Sequence, residues 1–454
     1  MIAEIRAESA SPTLEKSPSR VERDTALRFT GSELIKIARL PLIWAIVAIC
    51  VMINMLMAIA VPANTVALYN YASAVSVSLG GKVGPDFDRK LAQASTRAAS
   101  TDARVNVHTT TSARTDTRSR THNVEVKTAS NTIIDPRIPA GSTITADELH
   151  RQLVAITRGA TNTLADYDAT AMQNVMLAQV NGDPVATWLL QHKYNAYATR
   201  VAHLTKTQAS MDLAAGSATY TTLTHWMNTT SYVLFETCML AVLLMALALG
   251  YERTSGTAQL LMVTRVGRQL TIAKMVAGLI ASASVYLLLV SAFLIPYLAV
   301  FDVRGVWSAS ISSQFNTVFG QRPFITWWDM TIGQYLFMRL ALGLLLTLCF
   351  ALFTSALELL IHHTFAVVGC VGVTVILIVG VVSAAHAFNL PWLAWISGFN
   401  PVGVLLLRNQ WFTELGLDAP IPFWETSVTL CSLVYLTIAV VLAQHMFTRQ
   451  DLLR

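Results

Sequence analysis

The chain has 454 residues, of which 54% are hydrophobic and only 13% are charged. A composition this apolar excludes an ordinary soluble enzyme and is typical of a protein that crosses a membrane several times. The formal net charge of +5 comes from basic residues in a polar insert and in short loops beside apolar segments. We therefore interpret the charge as a sign of membrane topology, and we do not expect nucleic-acid binding.

The first 40 residues precede any long apolar segment and divide into two parts. Residues 1–28 are charged and rich in Ser and Pro, which predicts a disordered tail. Residues 29–40, FTGSELIKIARL, repeat apolar residues with helical spacing, while Glu33 and Lys36 point elsewhere. This pattern predicts an amphipathic interface helix on the membrane surface, and the same residues also suit the first turns of the next helix.

Six later segments are apolar and long enough to cross a bilayer as helices, which predicts a mainly α membrane protein. They are residues 41–61, 226–250, 270–300, 333–357, 364–388 and 426–447. Short loops with a basic excess stay in the cytoplasm, and the loop of residues 251–269 has such an excess. We therefore expect a multi-pass protein of the plasma membrane with both termini in the cytoplasm, including the short tail of residues 448–454.

The polar insert of residues 62–225, between the first two spans, is predicted to be a large extracellular α/β or α-rich domain. Residues 82–137 have few large apolar side chains, and short alternations such as RVNVHT and HNVEVKT predict a thin sheet or a partly mobile segment. In the second half, Thr145 and Glu148 form a capping-box pattern at the start of a helix. A further helix is predicted over residues 185–211.

Two loops on the same side as the insert lack a basic excess and are rich in Trp, as expected at the membrane surface. The first covers residues 301–332. The second covers residues 389–425, where Pro and Gly interrupt an apolar stretch. We predict that this second loop re-enters the outer leaflet as short broken helices, because such backbone is tolerated at membrane depth when it packs against protein.

No motif for covalent chemistry is present in the sequence. A phosphate-binding loop needs G-x-x-x-x-G-K-[ST], and the nearest string, at Gly81 and Lys82, lacks both the first Gly and the final hydroxyl residue. The five cysteines all lie in apolar segments without metal-ligand spacing. His362 and His363 lie close to Glu358, but adjacent histidines on a helix point in different directions and no Cys or Asp completes a metal site. We therefore expect no metal, no cofactor and no catalytic residue in this chain.

Polar residues inside the predicted spans are candidates for a substrate path. Glu236 in the second span is the main one, because an unpaired carboxylate in the membrane costs several kcal/mol. It either contacts a substrate or ion, or lies near the outer interface. Asn54 in the first span is a weaker candidate because Asn often joins helices, and Arg339 in the fourth is weaker because Arg can extend its side chain to the interface.

Four features, in their order along the chain, resemble the membrane-spanning permease of type-2 ABC transporters, most of which are exporters. They are SELIKIAR before the first span, the loop ERTSGTAQLLMVTRVGRQLTIAK, the re-entrant stretch around Asn400 and Pro401, and the terminal FTRQDLLR. The loop has the family's Glu, Gly-Thr, apolar pair, basic residue and final Lys. It departs from the family at Gln259 and Arg265, where a second Glu and a Pro are frequent.

The resemblance implies that this loop is a coupling helix that docks on a separate ATP-binding subunit. The positions carried over to this chain are Glu252, Gly256, Thr257, Arg265 and Arg268. It also implies two copies of that subunit, which bind ATP and Mg, and a second permease copy or homologue. The same basic residues also suit ordinary anchoring of the loop in the cytoplasm.

The expected function is therefore that of a transport subunit and not of an enzyme. It would move an amphiphilic substrate such as a peptide, drug or lipid outward, using ATP hydrolysed by the partner. One alternative is a permease for a small cation such as sodium, with Glu236 as a ligand. The other is a membrane sensor whose external domain binds a ligand.

Overall fold

The computed structural model describes residues 20–102, 122–123, 126–127, 133–134, 137–180, 183–254, 256, 267–316 and 324–449. This part is mostly helical, and within it six helices are long and apolar enough to cross a membrane. They are span one (α2, Pro41–Ala58), span two (α8, Ser217–Thr254), span three (α9, Gly267–Val300), span four (α10, Ile332–Ile361), span five (α11, Thr364–Ala387) and span six (α14, Trp424–Arg449). The prediction of six helices that are long and apolar enough to cross a membrane is confirmed.

Span two is the centre of the helical unit. It packs against spans one, three, four and five, whereas span six packs mainly on span four. In its most apolar window 72% of the residues are buried, against 11% in span five. Span two begins nine residues before the predicted start at residue 226. Its first turns are rich in Thr, and hydroxyls such as that of Thr222 donate to carbonyls one turn earlier within the helix.

The interface helix is longer than predicted. Helix α1 covers Arg20–Ala38, so residues 20–28 are helical and do not belong to a disordered tail. This part of the chain has no Pro or Gly, which are the residues that oppose a helix most. Pro41 then opens span one, and the Trp44 indole donates to the Ala38 carbonyl oxygen at 2.6 Å. The remaining tail residues, 1–19, lie outside the described part.

The insert is built around a buried helix that the sequence analysis missed. Helix α3 covers Ala63–Leu79, and every residue from Val66 to Ser76 is buried. It has no polar face because Ala, Ser, Val and Tyr alternate around it, so it must be covered on all sides. Asn70 joins it to the end of span three, since its amide donates to the Val300 carbonyl at 3.1 Å and accepts from the Asp302 N–H at 2.7 Å.

The segment predicted as a sheet is helical at its start. Helix α4 covers Pro85–Asp102, and its Phe87 and Leu91 side chains are buried in the core. Two-residue strands follow in two antiparallel pairs: β1 (His122–Asn123) with β4 (Arg137–Ile138), and β2 (Val126–Lys127) with β3 (Ile133–Ile134). The expected strand HNVEVKT falls on β1 and β2, while RVNVHT lies outside the described residues.

The second half of the insert is helical, as predicted from its caps. Helix α5 covers Ala146–Thr157, and the Thr145 hydroxyl accepts from the Glu148 N–H at 3.3 Å. Helix α6 covers Ala169–Ala178. Helix α7 covers Pro184–Lys206 and is capped by Asp183, which accepts from two backbone N–H groups at 2.9 Å. A short 3-10 turn then leads into span two.

The loop between spans five and six forms two short helices, as predicted. Helix α12 covers Pro391–Gly398 and α13 covers Pro401–Leu406. The Asn400 side chain caps α13 by accepting from two N–H groups at 3.0 and 3.1 Å. The two helices meet so closely that a Cβ atom at Gly403 would overlap the Gly398 backbone. Glycine is therefore required at residue 403.

Candidate coupling site

The end of span two carries an acid where the helix itself disfavours one. Glu252 lies two residues before the C-terminus of this helix, where the macrodipole favours cations and opposes carboxylates. The side chain is nevertheless 6% exposed. A carboxylate in such a place needs cationic partners, because burying it unpaired costs several kcal/mol.

Two lysines from different helices supply these partners. The Lys274 ammonium, from the second turn of span three, forms an ion pair with Glu252 Oε2. The Lys36 ammonium, from α1, lies 3.4 Å from Glu252 Oε1 and 2.6 Å from Glu33 Oε1. We call these four residues the charged cluster. Its two carboxylates and two ammonium groups balance in charge, and three of the four residues are less than 9% exposed.

The charged cluster joins three helices at the side of the protein opposite the insert. Helix α1 packs along span three and also contacts span two, so the cluster sits where the three helices meet. Glu33, Lys36 and Glu252, which the sequence singles out for separate reasons, are in contact in the structure. Lys274, which the sequence presents only as the final Lys of the loop pattern, completes the cluster from a position seven residues inside an apolar helix.

A second ion pair binds the same helix end to span four. The Arg253 guanidinium lies 3.1 Å from Glu358 Oε1, and Glu358 is fully buried. The Thr364 hydroxyl, at the start of span five, donates to the same carboxylate at 3.4 Å. Close packing is required here, since a Cβ at Gly250 would overlap the Thr364 hydroxyl oxygen. A movement of this end of span two would therefore displace its contacts with spans four and five.

The remaining predicted coupling positions lie at the edge of the described chain. Gly256 is exposed and has φ +72°, a left-handed conformation that favours glycine. Arg268 lies in the first turn of span three. Thr257 and Arg265 lie outside the described residues.

The adjacent histidines have structural roles. His362 ends span four with φ +60°, and its ring stacks on Phe447 of span six at 5.6 Å. His363 caps span five, where its Nδ1 accepts from the Ala366 N–H at 3.3 Å. Within the described part of the chain no group of three His, Cys, Asp or Glu side chains is arranged to hold a metal ion.

Two of the candidates for the substrate path, Glu236 and Asn54, are hydrogen-bonded to each other. The Asn54 amide in span one donates to Glu236 Oε2 in span two at 2.8 Å. Asn54 is fully buried, and its Oδ1 atom has no hydrogen-bond partner among the described residues. Glu236 is only half-buried. This contact therefore lies on an accessible face of the helical unit and not in its centre.

Arg339 is buried in the protein and does not extend to the interface. Its guanidinium donates to the Thr230 hydroxyl at 3.1 Å, to the Ser231 hydroxyl at 2.8 Å and to the Arg408 carbonyl oxygen, and it lies over the Trp411 ring at 5.2 Å. In the described part of the chain it forms no ion pair with a carboxylate. Arg339 thus ties span two and the loop after α13 to span four.

Helix α7 of the insert docks on both Trp-rich loops. The Lys193 ammonium is fully buried and donates to the carbonyl oxygens of Gly416 at 2.5 Å and Ala419 at 2.9 Å. Burial lowers the pKa of Lys193 to about 8, although Glu414 at 3.7 Å opposes this shift. Arg200, two turns further along α7, donates to carbonyls of the other loop. The insert and the loops are therefore joined on one side of the helical unit.

Comparison with models of known protein families and with curated protein sequences gives no match for this chain.

Proposed function

We propose that this chain is the permease subunit of an ATP-driven exporter, with the insert outside the cell and both termini in the cytoplasm. The orientation is supported by the basic loop between spans two and three, because short basic loops remain in the cytoplasm. Two copies of a separate ATP-binding subunit, which hold ATP and Mg, would dock below, and a second permease copy or homologue would complete the pathway. The transported substrate would be amphiphilic.

The observation that carries the proposal is the charged cluster. Glu252 lies at the start of the basic loop and is held by Lys274 of span three and Lys36 of α1. A partner that moves this loop would move both spans and the interface helix as one body, since the ion pairs oppose their separation. This is how a docking surface transmits a partner's closure to membrane helices.

The second ion pair extends the path of this movement. Arg253 follows Glu252 directly and binds Glu358 of span four. The two neighbouring residues thus connect the loop to four helices. Ordinary anchoring of the loop in the cytoplasm depends on its basic residues alone. It does not account for the acid at residue 252 or for its burial.

Co-purification tests the proposal. The protein is extracted from its native membrane in mild detergent, and bound proteins are identified by mass spectrometry. Wild type is compared with Arg265→Glu/Arg268→Glu, which reverses the loop charge and leaves the four residues of the charged cluster unchanged. The matched control is Arg151→Glu/Arg158→Glu, which makes the same charge change at two exposed residues of the insert.

We expect an ATP-binding-cassette subunit to accompany the wild type and the control and to be lost from the loop variant. Recovery of no such subunit under any condition would contradict the exporter proposal. Equal recovery with the loop variant would contradict the docking role of the loop.

A further inference from the structure

The face formed by spans one and two carries a carboxylate among exposed aromatic and apolar side chains. Tyr232, Phe235, Glu236 and Met239 follow the spacing i, i+3, i+4 and i+7, so they form one stripe on span two. All but Glu236 are exposed large apolar residues. The Asn54 amide of span one holds the Glu236 carboxylate from one side at 2.8 Å.

The Glu236 carboxylate forms no ion pair with the described part of the chain. Among the described residues, no Lys, Arg or His nitrogen lies within 4 Å of the Glu236 carboxylate, which instead accepts from the Asn54 amide. The Asn54 Oδ1 atom is a second buried acceptor without a partner there. A carboxylate at membrane depth without a cation is costly, so a site of this kind favours a cationic occupant.

The depth of the site follows from helix geometry and from the proposed orientation. Glu236 and Glu252 are separated by sixteen residues of one helix, which at 1.5 Å per residue is about 24 Å. If the charged cluster marks the cytoplasmic surface, Glu236 lies in the outer part of a hydrocarbon core about 30 Å thick. A cation attached to an apolar body rests at this depth, with its charge just below the headgroups.

We propose that Glu236 is the recognition site for a cationic amphiphile, a molecule with an ammonium or phosphonium head on an apolar body. This inference rests on the proposed function and names the substrate class. The carboxylate binds the positive head, and Tyr232 and Phe235 offer aromatic faces, which attract organic cations. Met239 adds a flexible, polarisable side chain that adapts to different apolar bodies.

A zwitterionic lipid fits this site less well than a net cation. The phosphate of a choline or ethanolamine lipid would need its own cationic or N–H partner, and the exposed side chains beside Glu236 on span two, Tyr232, Phe235 and Met239, supply neither. A bare metal cation would need several oxygen ligands, whereas exposed aromatic and thioether groups surround this carboxylate. The occupant is therefore an organic cation without a phosphate.

Equilibrium binding to the isolated full-length protein tests the inference. The protein, without any ATPase, is placed in lipid nanodiscs, and binding of radiolabelled tetraphenylphosphonium is measured with empty nanodiscs subtracted. Competitors are dodecyltrimethylammonium, the neutral triphenylphosphine oxide, and sodium chloride against N-methylglucamine chloride. The variants are Glu236→Gln, which keeps an acceptor for Asn54, and Glu236→Asp, which keeps the charge. Glu148→Gln, in the insert, is the matched control.

We expect saturable binding in wild type and Glu148→Gln, about tenfold or more weaker in Glu236→Gln and partly retained in Glu236→Asp, since an ion pair near a protein surface is worth several RT. Equal binding by Glu236→Gln would overturn the inference, as would selective displacement by sodium. If the neutral triphenylphosphine oxide displaced tetraphenylphosphonium from the wild type as well as the cationic competitor does, the inference would also fail, and this result does not depend on the folding of any variant. A changed oligomeric state of Glu236→Gln would assign the carboxylate to a subunit contact instead. Because no ATPase is present, none of these outcomes depends on whether the loop docks one.

Discussion

Lys274 forms an ion pair with Glu252 across the two helices that flank the basic loop. The two residues are separated by twenty-two positions, and both are nearly excluded from solvent. The pair closes the base of the loop, so the ends of spans two and three cannot separate without breaking it.

Removing one member of this pair should be more harmful than removing both. We expect Glu252→Gln to lower the free energy of unfolding by about 3 kcal/mol, because it leaves Lys274 buried without its carboxylate. The double variant Glu252→Gln/Lys274→Met should be closer to wild type, since no buried charge remains unpaired. Thermal unfolding in nanodiscs measures both. Lys90→Met, at an exposed residue of α4, is the control and should cost less than about 1 kcal/mol, because it breaks no buried contact. If the losses in Glu252→Gln and in Lys274→Met added up in the double variant, the two residues would not be stabilising each other.

The close approach of span two to span five can be tested at Gly250. Gly250→Ala should reduce stability by about 1–3 kcal/mol even though alanine favours helices, because its Cβ meets the Thr364 hydroxyl. Thr364→Ala removes that hydroxyl oxygen and should recover part of the loss in the double variant. The measurement is the midpoint of thermal unfolding. The matched control is Gly372→Ala in span five, where a Cβ has open space; an equal loss at both positions would contradict the packing argument.

Lys193 should make stability depend on pH in the alkaline range. Its pKa is lowered from 10.5 in the unfolded chain to about 8 in the fold by burial. Between these values the unfolded state binds more protons than the folded state, so the free energy of unfolding should rise as the pH increases from about 8 to about 10.5. The shift corresponds to a few kcal/mol at most.

This dependence is measured as the difference between wild type and Lys193→Met in thermal unfolding at several pH values. Lys90→Met, at an exposed residue of α4, provides the control. A wild-type curve that stays parallel to that of Lys193→Met across this range would show that Lys193 does not titrate there differently in the fold.

Arg200 should hold the first Trp-rich loop against α7. Its guanidinium donates to the carbonyls of Thr326 at 2.7 Å and Trp328 at 2.6 Å and to Asp329 Oδ1 at 2.6 Å. Lysine has no planar guanidinium group that reaches three acceptors. We therefore expect Arg200→Lys to increase the rate of proteolytic cleavage in this loop several-fold. Limited proteolysis with mass spectrometry measures this. Arg151→Lys, on an exposed face of α5, should leave the cleavage rate unchanged; the same rate in Arg200→Lys would show that the clamp is not needed.

Local sequence was enough to predict the six spans and the start of α5, but not α3 or α4. Hydropathy over a window of about twenty residues identified the six spans. A segment that crosses lipid must be a helix, which satisfies its own backbone hydrogen bonds, and it must be apolar over about twenty residues, so its length and composition are enough to recognise it. Side chains within one turn identified the start of α5, since the Thr145 cap accepts from an N–H group three residues away. These interactions need no information about the rest of the chain.

Tertiary structure alone decided which distant residues meet. The sequence contains Lys36, Glu252 and Lys274 in three separate segments, and it does not specify the rotation of each helix about its axis that brings them into one cluster. The same holds for Asn54 and Glu236. It also holds for α3, whose small and apolar residues carry no periodic face, so that only the packing of the loops and spans around it reveals its burial.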